Sequence, residues 1–85
     1  MANQEHLEML VRGSVVWNEW RNDNPDLDPD LRDVYISDSN LQFFNLNNVD
    51  LSNSDLNGSN LYFATLSRAN LSGSDLSGAN LTDAI

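Results

Sequence analysis

Two spacings of apolar residues divide the chain. In the first part Leu7, Leu10, Val11, Ser14 and Trp17 follow the i, i+3, i+4 rhythm of one helical face, and Val16 with Trp20 widens it. This predicts an amphipathic helix over 3–21, with Asn3 as N-cap and Glu5 and Glu8 near the positive end of the helix dipole. Gly13 weakens the middle of that helix by about 1 kcal/mol relative to alanine, so packing against the rest of the chain must hold it. Asn22, Asp23 and Asn24 before Pro25 end it, because the residue preceding proline avoids the helical region. A polar, proline-punctuated connector follows.

From Pro29 onward the period becomes five. Leu31, Ile36, Leu41, Leu46, Leu51, Leu56, Leu61, Leu66, Leu71, Leu76 and Leu81 stand five apart without a gap. Two positions before each is a mostly small residue, for example Ser54, Ser59, Ala64 or Ala79, and one position before is Asp or Asn except at Tyr35 and Thr65. A helix would rotate such residues by about 140° at each step, and a straight strand would send them to alternate faces. Every fifth residue stays inside only if the chain turns a corner every five. The small residue and the aliphatic then both face inward, while Asn, Asp, Ser and Gly make the corner by bonding local backbone and tolerating unusual dihedrals. Coils so formed stack at about 4.8 Å, with backbone hydrogen bonds between them.

The segments Ala69-Asn70-Leu71-Ser72-Gly73, Ser74-Asp75-Leu76-Ser77-Gly78 and Ala79-Asn80-Leu81-Thr82-Asp83 resemble the A(D/N)LXX consensus of pentapeptide-repeat proteins. The resemblance covers 29–83. It implies an all-β solenoid, a right-handed quadrilateral β-helix with four repeats per coil and so about 2.75 coils. The leader from Val16 to Arg21, with Asn24-Pro25 and Pro29-Asp30-Leu31, looks like the helical lead-in of cyanobacterial members. Residues 1–28 are therefore expected to cap a β-helix of residues 29–85 within one structural domain, with Leu7, Leu10, Val11, Trp17 and Trp20 as the capping face. Val34, Phe44 and Val49 exceed the family's usual alanine and suggest a first coil that is wider or tapered to meet the helix.

Composition narrows the function. The net charge is −9, with four arginines and no lysine, which argues against direct nucleic-acid binding and against attachment to anionic lipid. No apolar run approaches the ~18 residues of a membrane span, and the N-terminus lacks a signal-peptide pattern, so a cytoplasmic protein is expected. With no cysteine, disulfides, thiol nucleophiles and Cys-based metal sites are absent. Asp26, Asp28 and Asp30 alternate like the start of a calcium loop, but Leu31 stands where the turn needs Gly and Ser37 where the bidentate Glu belongs. His6 is the single histidine and reads as a surface or cap-packing residue. The sequence predicts no enzyme, no cofactor and no metal site.

Two features point to partners. Residues twenty apart lie above one another, so Phe43 and Phe63 should stack, with Tyr62 beside them, on a face otherwise polar; these three are the candidate interaction surface. Leu66, Leu71, Leu76 and Leu81 line the last coil, and an uncapped solenoid end exposes its cross-section. Either a longer protein continues it, or two copies pair end to end as a homodimer. The expected role is a structural or protein-interaction module presenting flat faces. The alternative is a DNA-mimic inhibitor or protector of an enzyme such as a topoisomerase, as the resemblance allows. The acids are, however, concentrated in 23–38 (−5) and sparse over 39–85 (−3).

Overall fold

Asn3 begins the first element by accepting the N–H groups of Glu5 and His6 on its side-chain oxygen. In the computed structural model, which describes residues 1–85, helix α1 spans Gln4–Val11 and helix α2 spans Ser14–Asp23. The single expected helix is thus two. Gly13 takes φ +99, a value that L side chains rarely adopt, and its carbonyl accepts the N–H of Trp17 to open α2. The bend rotates the second helix relative to the first. The inward face becomes His6 and Leu10 from α1, with Trp17 and Arg21 from α2. Val11, expected in the capping face, is 73% exposed for this reason, while Leu7 and Trp20 pack against the core at its margin.

From Asp30 the chain winds in coils of four repeats. Isolated parallel bridges join Asp30 to Asp50, Tyr35 to Asp55, Asn40 to Asn60 and Asn45 to Thr65, and the next coil repeats three of them. No continuous strand forms, which corrects the all-β expectation: each side of the coil is extended for too few residues between corners to pair at more than one position. Helices α1 and α2 are the regular elements.

The five-residue pattern has a physical cause at each position. The aliphatic residues from Leu31 to Leu61 are buried apart from Ile36, which is half-buried. Leu66, Leu71 and Leu76 are half-buried and Leu81 is 44% exposed, so the expected core is complete only where a further coil or the helices cover each side. The Asp or Asn before the aliphatic accepts, through its side-chain oxygen, the N–H two residues on, in nine of the eleven repeats. Tyr35 and Thr65 make no such bond; Ser67 N–H is capped from the coil above by Asn47. Two residues after the aliphatic, φ is positive in every repeat, at Gly58, Gly73 and Gly78 and at eight other residues. Buried serines fill the small column. The Ser54 hydroxyl donates to Leu31 O and accepts from Val34 N–H, and Ser59 does the same for Ile36 and Ser39.

Candidate functional site

Phe43, Tyr62 and Phe63 come together as the twenty-residue register requires. Phe43 N–H donates to Tyr62 O at 3.0 Å, which aligns the two corners. The Phe43 and Phe63 rings stack with centroids 5.9 Å apart and planes inclined by 11°. Tyr62 meets Phe63 edge-on at 4.5 Å. Phe43 is 56% exposed and Phe63 46%. Both occupy the positive-φ corner position, at +65 and +57. A bulky side chain is uncommon there, and the conformation costs on the order of 1 kcal/mol relative to Gly or Asn. The neighbouring faces place Asn48, Asn53, Gly58 or Asp38 at the equivalent corner.

The other assembly of functional side chains is the junction between α2 and the first coil. Trp17 Nε1 donates to Asn45 O at 2.7 Å, and Arg21 Nη1 donates to the same oxygen at 3.0 Å. Arg21 Nη2 donates to Asn47 O at 2.7 Å. Asn18 accepts from Asn45 N–H at 2.8 Å and donates to Phe43 O at 2.9 Å. On the adjoining side Asn3 N–H donates to Asp30 O, and His6 Nδ1 accepts from Asp30 N–H at 2.9 Å. His6 is buried against Trp20, with ring centroids 5.3 Å apart. Phe44 sits in this junction, its ring 6.0 Å from that of Trp17. Asn18 and Arg21 were not marked by the sequence pattern, since their partners are main-chain oxygens and nitrogens that carry no residue signature.

Four groups have displaced pKa values, one of them Arg32, whose guanidinium pKa is raised by its hydrogen bonds to Asp30. Burial lowers that of the Arg21 guanidinium, and Asp28 acts in the opposite sense. The Arg32 side chain, forked onto both oxygens of Asp30 at 2.9 Å, holds that carboxyl below its ordinary value. Asp75 is likewise lowered, first by the side chain and then by the N–H of Ser77.

A family model described as pentapeptide repeats matches residues 30–64 and 45–83, in eight copies. The chain belongs to the pentapeptide-repeat family. The matched stretch of this pentapeptide-repeat protein is the coiled part, and it contains the whole aromatic face; the two helices lie outside it. No curated protein matches the chain. No helix is long and apolar enough to cross a membrane.

Proposed function

We propose that this pentapeptide-repeat protein is a non-enzymatic interaction module that docks a partner protein on the face of Phe43, Tyr62 and Phe63. One observation carries the reading. Two phenylalanines occupy the same corner of consecutive coils, in a backbone conformation that disfavours them, and about half of each ring still faces water. Glycine or asparagine would relieve the strain at both positions, and the stacking of the rings offsets that strain but leaves their outer faces in water, which a contact outside the chain accounts for. Membership of a family of repeat modules supports the same class of role.

The remaining parts of this proposal follow from the same reading. Residues 1–28 act as a cap for a right-handed, four-sided coil of residues 29–85. A cytoplasmic setting belongs to the same proposal. A second copy is a candidate partner for the coil of Leu71, Leu76 and Leu81, and light scattering at several concentrations tests that pairing against the 9.5 kDa chain mass.

The aromatic face is tested with the double variant Phe43→Asn/Phe63→Asn, since asparagine tolerates the corner. A partner captured by the wild type and identified by mass spectrometry is titrated against both proteins. The reading expects at least tenfold weaker binding to the variant; equal affinity overturns it.

A further inference from the structure

Each side of a coil offers three main-chain groups to the coil before it: the N–H and the carbonyl of the bridged residue and the carbonyl two residues on. Asp55 N–H donates to Val34 O, Asp55 O accepts from Ile36 N–H, and Asn57 O accepts from Asp38 N–H. At the leading edge of the first coil the cap takes all three groups at Asn45 and Asn47, and two at Asp30. At Tyr35 and Ser37, and again at Asn40 and Gln42, the corresponding two N–H and four carbonyl groups bond nothing in the chain. Tyr35 is 82% exposed.

Two apolar clefts run beside this edge, under α1. One, of about 270 Å³, is walled by Leu7, Val34, Tyr35 and Ile36; the other, of about 260 Å³, by Leu10 and Leu41. The charges at this edge are mostly negative: Asp33 and Asp38 flank it in the chain and Asp55 is bridged to Tyr35, while Arg32 is already forked onto Asp30 and the whole chain carries −9. Asp33 is paired with the amino group of Met1, whereas Asp38 is exposed.

We propose that this edge binds an extended, basic segment of a partner protein. The segment lies parallel to Val34–Asp38 as Val34–Asp38 itself lies on the coil beneath. It fills the vacant hydrogen-bond triplet, places apolar side chains in the clefts and turns Lys or Arg toward the acidic rim. Main-chain pairing supplies the affinity and the clefts and rim supply the selectivity. The donor count favours this occupant: an incoming strand provides two N–H groups for each one it must accept from, the ratio the edge presents. The proposed segment lies along the Tyr35 and Ser37 side of the first coil, one corner before the side of Asn40 and Gln42 that borders Phe43, and the proposal stands whether or not the aromatic face binds a partner.

The first measurement is amide hydrogen exchange on the free protein. Tyr35 and Asn40 are expected to exchange at least a hundredfold faster than Asp55 and Asn60, which occupy the same positions one coil on. Equal protection overturns the proposal. The second is a displayed library of random seven-residue peptides, selected on the wild type and counter-selected on Tyr35→Pro, which removes a donor that bonds nothing within the chain. Peptides rich in Lys or Arg alternating with apolar residues are expected, binding the variant at least tenfold less well and slowing Tyr35 exchange at least tenfold in the wild type. Recovery of acidic peptides overturns the proposal. So does absence of any peptide preferring the wild type, or protection that maps to Phe63 rather than Tyr35.

Discussion

Trp17 donates its indole N–H to the carbonyl of Asn45 at 2.7 Å, where a preceding coil would place a backbone N–H. The helix thus ends the solenoid by imitation, with Asn18 and Arg21 supplying the other two bonds of the set. Trp17→Phe keeps an aromatic ring in the buried site and removes the donor, and it is expected to cost about 1 kcal/mol. Trp17→Ala also opens a cavity and is expected to cost about 3–5 kcal/mol. Urea denaturation of the two variants checks the difference.

Leu56→Asp and Asn57→Asp test the inward and outward positions of one repeat. Leu56 is buried between coils, so a carboxylate there is unpaired and desolvated, and the variant is expected not to fold. Asn57 is exposed, and its side chain helps to hold the Asp75 carboxyl down. Asn57→Asp is therefore expected to fold and to lose only a little stability at neutral pH, from like-charge repulsion with Asp75 that fades when both acids are protonated. Circular dichroism and denaturation at pH 7 and pH 3 distinguish the cases.

Phe43→Asn with Phe63→Asn removes a stacked pair worth about 0.5–1.5 kcal/mol and relieves two corners at on the order of 1 kcal/mol each. These terms oppose one another, so the double variant is expected to stay within about 1 kcal/mol of the wild type. A larger loss of thermal stability would assign the rings a structural role.

Asp30 and Asp75 both have folded pKa values below the ordinary carboxyl range. Between the ordinary value near 4 and the depressed one, the unfolded chain binds more protons than the folded chain. The stabilisation these groups give is complete above about pH 5 and is lost as pH falls through their folded values. Asp75→Asn keeps the side-chain oxygen that accepts from Ser77, as asparagine does at Asn70 and Asn80. Its Tm is expected to match the wild type at pH 7 and to fall less steeply below pH 4, as followed by calorimetry.

The coil was legible because its determinants are local. The Asp or Asn column caps the corner within the same repeat, and the leucine column needs only neighbours twenty residues away. The break at Gly13 was not legible, because a mid-helix glycine costs little and bends the chain only when tertiary contacts favour it. The exposure of Val11 follows from that break. The aromatic stack was legible from the twenty-residue register, but the strain at Phe43 and Phe63 was visible only in the backbone angles. The hydrogen bonds of Asn18 and Arg21 were hidden because main-chain acceptors are the same at every residue.

Interchangeable repeats create a counting problem for folding. A coil displaced by five residues would still bury leucine, cap its corner with Asn or Asp and find hydrogen bonds, so the repeats alone barely distinguish the correct winding from its neighbours. The contacts of Trp17, Asn18 and Arg21 with residues 43–47, and of His6 with Asp30, occur once. They serve as the zero mark from which the winding is counted. They fix the register in which the repeats must wind, whichever coil forms first.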